Sequence, residues 1–417
     1  MRRTVLVLVV LAAVAANAAA QTDIYLSTEK SGMGKIPIVV IDIEANDGSS
    51  RESAFYITRV LRKDLEFSGY FDPLEFEAGS DTLAAGLTAA AVFEGTIKRE
   101  AEKLSLEVRL LDYLSRETIF SKRYSFRGGA RRKVAHYISD EITYFLVGER
   151  GIATARLLFC RRDGESKDLY LVDYDGHGLK KLTKGEIAVY PLWIDSKRLL
   201  YTSYKRDNPD CYMIDLAAGK KSIYSHRKGL NVAGDFLPDR GEILMTLSIK
   251  GNSEIYILDL TGKVVQRLTR NRAIDCSPSW APNGNEVVFV SDRTGSPHIY
   301  IMDRFGGNAR RLSRGSYNTS PVWSLSGEMI AYVSRESGLY RLKLAAPDGL
   351  AEEDLFDDFL SYEDPSWAPN SKHIAATVKY GREPWIVIID SETGEKRCLV
   401  RGEFAAWSPT EGRGSRD

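Results

Sequence analysis

The residues of this chain that could support catalysis are few and scattered. A metal-dependent lyase or hydrolase needs several histidine or carboxylate ligands that converge on one point. The five histidines are His136, His177, His226, His298 and His373. By the repeat that organises the last two-thirds of the chain, His136 falls in another domain, His177 in an outer turn and His226 on an outer strand, so we predict that they do not converge. The segment Asp173-Tyr174-Asp175-Gly176 resembles the start of a calcium-binding loop but lacks the remaining ligands, so we predict an ordinary turn there.

Other signatures of chemistry are absent from the sequence. It contains no Gly-x-Ser-x-Gly pentapeptide, which a serine hydrolase of the α/β class would need, and no glycine-rich phosphate-binding loop. The 57 Lys and Arg residues balance 57 Asp and Glu residues, so there is no basic field for nucleic acid. The sequence predicts a protein that is not an enzyme, with no catalytic residues, no metal, no cofactor and no nucleic-acid partner.

A repeated Pro-x-Trp pattern organises the last two-thirds of the chain. Its two full copies are Pro278-Ser279-Trp280-Ala281-Pro282 and Pro365-Ser366-Trp367-Ala368-Pro369. With four weaker copies, the aromatic positions are 193, 236, 280, 323, 367 and 407. The gaps are therefore 43, 44, 43, 44 and 40 residues. A fixed period in this range indicates stacked or ring-forming units.

Each repeat reads as four short strands. In the clearest copy, a strand at Ser279-Trp280 is followed by the turn Pro282-Asn283-Gly284. Two further strands are predicted at 287–290 and 298–303, and an outer strand at 309–313. Four strands in about 43 residues are typical of a β-propeller blade. Six aromatic positions then predict six blades.

The ends of the repeat region predict a closed ring. The first unit starts at Ala155-Arg156-Leu157-Leu158-Phe159, which matches the second strand of a blade. The last segment, Phe404-Ala405-Ala406-Trp407-Ser408-Pro409, matches a first strand with no blade after it. We therefore expect the C-terminal strand to complete the N-terminal blade, which leaves no open edge.

The N-terminus reads as a secretory signal. Basic residues at 2 and 3 precede an apolar run over 4–14, and Ala18-Ala19-Ala20 offers a cleavage site. We assign residues 1–20 to a signal peptide and 21–35 to a flexible arm. No later stretch is apolar enough to span a membrane. The mature protein is expected to be exported, without direct membrane insertion, and monomeric.

A separate domain is predicted between the arm and the propeller. Residues 36–150 do not follow the repeat: they contain a buried strand at 36–43, a hairpin at 104–110 and 118–126, and helical stripes over 53–65 and 134–145. This is a small mixed α/β domain with its own core. Residues 151–417 form the propeller. Cys160, Cys211, Cys276 and Cys398 fall in different repeats, and both a disulfide and buried free thiols remain open.

This organisation resembles the TolB family. In the first domain the resemblance rests on Pro37-Ile38-Val39-Val40 and on Ser68-Gly69-Tyr70-Phe71-Asp72-Pro73-Leu74. In the propeller it rests on Ser291-Asp292-Arg293-x-Gly295, on Ile299-Tyr300-x-x-Asp303-x-x-Gly306-Gly307 and on the terminal Ala406-Trp407-Ser408-Pro409. It covers essentially the whole mature chain.

The resemblance implies binding in the periplasm. Family members bind the peptidoglycan-associated lipoprotein Pal through one propeller face, and their N-terminal arm is bound by TolA of the inner membrane. The Tol-Pal system supports outer-membrane integrity and envelope constriction in cell division. The matching arm here is Asp23-Ile24-Tyr25-Leu26. A short β-prone arm suits strand addition to a partner's sheet edge, and folding back within the chain remains open.

Topology predicts which propeller face binds the lipoprotein. In a four-stranded blade, the loop after the second strand and the crossover to the next blade emerge on the same face. A ring of polar side chains there is a plausible docking surface, although each residue could instead cap its own turn. The candidates are Asn231, Asp275, Cys276, Asp292, Arg293, Asn318, Thr319, Arg335, Glu363 and Asp364.

The main alternative is a ligand in the central channel. An exported propeller of this kind could bind or cleave a small carbohydrate or peptide there. The sequence leaves this alternative open.

Overall fold

The computed structural model describes residues 34–77, 88–356, 358–381 and 383–409. The signal peptide predicted over 1–20 lies outside this part, and so do Asp23, Ile24, Tyr25 and Leu26 of the predicted arm. None of the helices in the described ranges is long and apolar enough to cross a membrane.

The first domain is a mixed sheet covered on one face by two helices. Its elements are β1 (Ile36–Ile41), β2 (Glu44–Ala45), α1 (Arg51–Phe67), β3 (Phe71–Phe76), β4 (Ala91–Glu100), β5 (Lys103–Asp112), β6 (Thr118–Phe126), a 3-10 turn (Gly128–Ala130) and α2 (Arg131–Val147). Strand β1 pairs in parallel with β3 and β4, and β4, β5 and β6 continue as an antiparallel meander. Helices α1 and α2 pack against each other.

The predicted amphipathic patterns account for most of this domain. In α1 the side chains of Ala54, Ile57, Leu61 and Leu65 are buried against the sheet, as the helical spacing requires. Strand β6 has the predicted bounds. Strands β3 and β4 were not predicted, since β4 ends in a charged, exposed run whose strand character comes from pairing along its length with β5.

The rest of the chain forms six four-stranded antiparallel sheets, which confirms the predicted six-bladed propeller. We number the blades in chain order from the one that closes the ring. Blade 1 contains β7 (Arg156–Asp163), β8 (Ser166–Asp173) and β9 (Lys180–Lys181); blade 2 contains β10 (Ala188–Trp193), β11 (Arg198–Ser203), β12 (Asp210–Asp215) and β13 (Lys220–Ser225); blade 3 contains β14 (Asn231–Leu237), a 3-10 turn (Pro238–Arg240), β15 (Glu242–Leu247), β16 (Glu254–Asp259) and β17 (Val264–Arg267).

Blades 4 to 6 repeat the same order. Blade 4 contains β18 (Asp275–Trp280), β19 (Glu286–Ser291), β20 (His298–Asp303) and β21 (Arg310–Arg311); blade 5 contains β22 (Asn318–Trp323), β23 (Ile330–Glu336), β24 (Leu339–Ala345) and β25 (Glu352–Asp354); blade 6 contains β26 (Tyr362–Trp367), β27 (His373–Tyr380), β28 (Glu383–Asp390) and β29 (Lys396–Arg401). The final strand β30 (Glu403–Trp407) pairs with β7 and supplies the inner strand of blade 1. The predicted closure of the ring is therefore confirmed.

Both the tryptophan and the proline of the Pro-x-Trp pattern have a structural role. The tryptophans pack between neighbouring blades: Trp193 Nε1 donates to the Ala406 carbonyl at 3.1 Å and Trp367 Nε1 to the Val322 carbonyl at 3.2 Å. A β-bulge interrupts every inner strand. In blades 2, 4, 5 and 6 it contains the proline, such as Pro278 between Cys276 and Ser279. Proline fits there because it has no N–H to give to the ladder.

The two domains are joined by an ordered linker and a polar interface. Asp140 of α2 accepts hydrogen bonds from the backbone N–H of Ala153 at 2.8 Å and from Thr154 Oγ1 at 2.6 Å, which fixes the linker. The Arg397 guanidinium lies 3.6 Å from the centre of the Phe67 ring. These contacts place the first domain on one propeller face, over blades 1 and 6. We call it the domain face: it carries the turns after the first and third strands of each blade.

Candidate functional site

The opposite side of the propeller is the candidate binding surface. We call it the mouth face: it carries the loops after the second strand of each blade and the crossovers between blades. It is the face predicted to bind a partner, and the central channel opens onto it.

The predicted docking residues form two groups, one fully buried and one nearer the surface. Asn231, Asp275 and Asn318 are fully buried at the first position of an inner strand. They tie the crossover loops down: Asn231 Nδ2 donates to the carbonyl oxygens of Arg227 and Gly229, and Asn318 Nδ2 to that of Arg314. Their buried side chains therefore hold the loops of the mouth face in place and are not themselves exposed to a partner.

The remaining predicted residues lie nearer the surface. Arg293 and Arg335 are exposed, while Cys276, Asp292, Thr319, Glu363 and Asp364 are half-buried. Several are already engaged within the chain. Arg293 donates to the buried Asp275 carboxylate at 3.1 Å, and Lys379 Nζ donates to Glu363 Oε1 at 2.9 Å. The structure brings the set together around the mouth but spreads it over blades 3 to 6.

Sequence reasoning missed a second ring of buried polar residues. Each lies at or near the start of a third strand and holds the crossover to the next blade. Asp168, for example, accepts from Thr183 Oγ1 at 3.0 Å and from the Glu186 N–H at 3.2 Å. The members are Asp168, Asp210, Glu254 and His298. Their spacing follows the same repeat as the tryptophans, so aligning the repeats with one another would have revealed them.

The channel itself is a cavity of about 640 Å³ bounded by the inner strands. Its wall is mostly proline, tryptophan and aliphatic side chains, with the acidic residues Asp235 and Asp364. Asp235 is satisfied, because it accepts from Ser279 Oγ at 2.9 Å and from the Trp280 N–H at 2.8 Å. Burial nevertheless raises its pKa.

The bulges turn unusual residues towards the mouth of the channel. Tyr190, Ser277, Ser320, Asp364 and Phe404 have φ values between 50° and 59°. Such values are rare for side chains other than glycine and asparagine, and bulges re-aim side chains. Tyr190 and Phe404 form an edge-to-face aromatic pair with ring centres 4.7 Å apart. The left-handed backbone thus builds an aromatic rim.

Exposed apolar side chains extend this rim. Tyr190 and Tyr204 line the mouth and are exposed. Ile187, Ile274 and Phe359 are exposed on crossovers of the same face. Aromatic anchors within a polar rim are typical of protein-binding surfaces.

Asp364 makes the stability of the propeller depend on pH. Burial, with the nearby Glu363 and Glu403 carboxylates, raises the pKa of Asp364 from 3.8 to about 7. Between these values the folded state retains a proton that the unfolded state releases, so this group's contribution to stability is lost as pH rises from about 4 to about 7. We expect Asp364→Asn to stabilise the chain by about 1–2 kcal/mol at pH 8 and to have little effect near pH 4.

Urea unfolding of both proteins at pH 4, 6 and 8 tests this expectation. Taking the difference between them cancels the other titrating groups. A difference that does not change with pH would contradict it.

The described residues contain one histidine and carboxylate cluster that could hold a metal: Asp64, His136 and Asp175. It lies between the domains, outside the channel. The sequence did not predict this cluster, because its members come from three separate elements: α1, α2 and the turn after β8. The turn predicted at 173–176 is present, but its Asp175 also contacts the first domain.

All four cysteines lie in the described part of the chain and are free thiols. Cys160 and Cys211 are fully buried. This answers the question that the sequence left open.

Fold and site together define a two-domain propeller protein: a small α/β domain on one face and an aromatic-rimmed channel mouth on the other. The TolB β-propeller domain model matches residues 144–411. The chain therefore belongs to the TolB family.

Individual relatives agree. Over 265 residues the chain is 32% identical to the Tol-Pal system protein TolB of Desulfosudis oleivorans, covering 59% of this chain and 60% of that protein. It is 29% identical over 241 residues to that of Desulfotalea psychrophila, covering 56% and 55%. The match thus spans less than two-thirds of either relative. The crystal structure of TolB from Acinetobacter baumannii superposes with a TM-score of 0.76 at 27% identity, covering 90% of this chain and 97% of that one.

Proposed function

We propose that this chain is a non-catalytic periplasmic adaptor of the Tol-Pal system that binds a Pal-like, peptidoglycan-associated lipoprotein through its mouth face. The observation that carries the proposal is the exposed apolar rim around the channel, formed by Tyr190, Tyr204 and Ile274 beside the predicted polar residues. A rigid propeller that presents aromatic side chains at a concave centre suits a protein partner.

The N-terminal arm is the second proposed contact. Asp23, Ile24, Tyr25 and Leu26 would bind a TolA-like inner-membrane protein by strand addition. The arm leads into Lys35, whose ammonium lies 3.7 Å from the Glu395 carboxylate on the domain face. The two partners would thus engage opposite sides of the molecule, one in each membrane. Such a link would support outer-membrane integrity and envelope constriction during division.

Charged substitutions on opposite faces of the propeller test the lipoprotein contact. Tyr204→Asp or Ile274→Asp places a charge in the apolar rim, and we expect each to weaken binding of the soluble lipoprotein domain by about 30-fold, the size of a 2 kcal/mol hot spot. The control is Phe305→Asp, since Phe305 is 72% exposed but lies in a turn of the domain face. Isothermal titration calorimetry at fixed salt measures all three.

Binding that is lost in Phe305→Asp and retained in the two rim variants would refute the assignment of the face. Deletion of residues 21–33 should leave lipoprotein binding intact and remove binding of the TolA-like partner.

A small ligand in the channel is the second candidate. The raised pKa of Asp364, about 7, and the apolar wall favour a small carbohydrate or peptide at that position. If no envelope protein binds the native chain, thermal-shift screening of such compounds against Asp364→Asn distinguishes this candidate.

A further inference from the structure

The mouth face carries its charges unevenly, although positive and negative residues balance over the whole chain. In blades 2 to 4, its loops and crossovers contain nine Lys and Arg residues but two acidic ones, Asp207 and Asp292. We call this part of the mouth face the basic arc. Its segments are 204–209, 226–230, 248–253, 268–274, 292–297 and 312–317.

The other half of the mouth face is not basic. In blades 5, 6 and 1, the charged members of the corresponding loops and crossovers, among the described residues, are Lys184, Glu165, Glu186 and Asp358. At the strand ends beside these segments the two signs alternate: Arg335 precedes Glu336, and Lys379 Nζ donates to Glu363 Oε1 at 2.9 Å. The ring of blades therefore has a basic half and a mixed half.

Most of the basic arc has no counter-charge within the chain. Three members are engaged: Lys205 lies 4.0 Å from Glu186, Arg293 pairs with Asp275, and Arg227 donates to the Ser225 hydroxyl. The other six side chains are exposed, and in the described part of the chain none has a carboxylate oxygen within 4.0 Å. They are Arg206, Lys228, Lys250, Arg270, Arg272 and Arg314. Like charges gathered in this way repel one another, so the basic arc does not serve the stability of the fold.

The basic arc borders the apolar rim of the channel. Tyr204 is followed directly by Lys205 and Arg206, and Ile274 follows Arg272 by two residues. Both Tyr204 and Ile274 are exposed. Apolar side chains flanked by charged ones are typical of a protein interface, in which the outer charges steer the encounter and fix the orientation of the partner.

The division of charge favours a folded acidic protein over a membrane surface. An anionic bilayer that covered the mouth face would also meet the acidic Glu165 and Asp358 of the mixed half. A folded partner can place an acidic patch over blades 2 to 4 alone. Because the six blades repeat one design, the apolar rim defines the rotation of a partner about the channel axis only weakly. The uneven charge can define it.

We propose that the partner at the mouth face presents an acidic surface to the basic arc, and that this contact fixes its rotation about the channel axis. The inference rests on the proposed function, in which that partner is the Pal-like lipoprotein. The acidic surface of the lipoprotein would lie over blades 2 to 4, with the apolar rim beside it. Long-range attraction between the two surfaces would speed their association.

Stopped-flow kinetics with the soluble domain of the Pal-like lipoprotein from the same organism tests the proposal. Arg270→Glu combined with Arg272→Glu should slow association about 10-fold in about 50 mM salt, within the range that electrostatic steering provides. The difference should shrink to less than about 2-fold near 1 M salt, where charges are screened beyond about 3 Å. The dissociation rate should change little, because charges at the edge of an interface act mainly on association.

The matched control is Arg240→Glu combined with Lys263→Glu. Both residues are exposed and belong to blade 3, but they lie in turns of the domain face. The change in net charge is the same, and we expect association to slow by less than about 3-fold. A second comparison separates the two halves of the mouth face: Arg272→Glu should slow association more than Lys184→Glu does.

The outcomes separate this contact from the proposed function. A lipoprotein that binds the native chain and associates equally fast with the Arg270/Arg272 and Arg240/Lys263 variants would overturn the basic contact and leave the adaptor function intact. A lipoprotein that does not bind the native chain would overturn both. We expect no sedimentation of the native chain with phosphatidylglycerol vesicles. Sedimentation that the Arg270/Arg272 variant loses would assign the basic arc to anionic lipid and overturn the proposal.

Discussion

Ending the chain after Gly402 is expected to unfold the propeller under native conditions or to leave it less stable by more than about 4 kcal/mol. The truncation removes β30, including the buried Ala405 and Trp407. Losing a buried tryptophan side chain alone costs about 3–5 kcal/mol, against a typical total stability of about 5–15 kcal/mol.

The loss extends beyond one side chain. Strand β7 would lose its pairing with β30, and the Arg156 N–H would lose its 2.9 Å hydrogen bond to Ser408 Oγ. Trp193 in blade 2 would lose its acceptor, the Ala406 carbonyl. Both blades beside the gap are therefore weakened, and β7 becomes an exposed edge that promotes aggregation.

A second truncation provides the control. Ending the chain after Pro409 removes residues 410–417 and keeps every contact of β30 described above. Urea unfolding followed by tryptophan fluorescence should give the full-length midpoint for this protein and a much lower one, or no transition, for the shorter one. Equal midpoints would show that ring closure contributes little to stability.

Gly306→Ala is expected to destabilise the chain by about 3 kcal/mol. Gly306 lies in the turn between β20 and β21 with φ of 88°, which side chains other than glycine rarely adopt. A Cβ there would also collide with the backbone carbonyl of Leu268, at the crossover that leaves blade 3. Backbone atoms cannot turn aside, so overpacking of about 1–3 kcal/mol adds to the conformational cost of about 1 kcal/mol.

Gly295→Ala separates the two effects. Gly295 has a φ of 98°, but no heavy atom of the described residues lies within 4 Å of the position that a Cβ would take there. We expect this variant to lose only the conformational contribution, about 1 kcal/mol. Chemical unfolding of both variants in the same buffer measures the difference. If the two variants lose the same stability, packing of the Gly306 turn against blade 3 is unimportant.

The family pattern around Gly306 shows how far local reasoning extends. Asp303 was predicted to end a third strand before a turn, and its Oδ1 accepts from the N–H groups of Phe305 and Gly307 at 2.9 Å. That much is a property of a few adjacent residues. The requirement for glycine at 306 also comes from Leu268 in the neighbouring blade 3, which the local sequence does not reveal.

The sequence by itself determined the six blades, the closing strand and the α/β domain before them. These follow from short-range periodicity, because the hydrophobic patterns of strands and helices appear in neighbouring residues, and the strand pattern recurs at a fixed interval. It also identified the face of the propeller that carries Asn231, Asp275 and Asn318, since strand order dictates which loops share a side.

Only the tertiary structure decided where individual side chains point and which distant residues meet. The side chains of Asn231, Asp275 and Asn318 point into the protein interior, where they hold loops. Left-handed bulges bring Tyr190 and Phe404 together at the mouth of the channel. The tertiary structure also joins Asp64, His136 and Asp175 at the domain interface. Contacts between residues so far apart in the chain depend on how the blades and the first domain pack together, and that arrangement cannot be predicted from local periodicity.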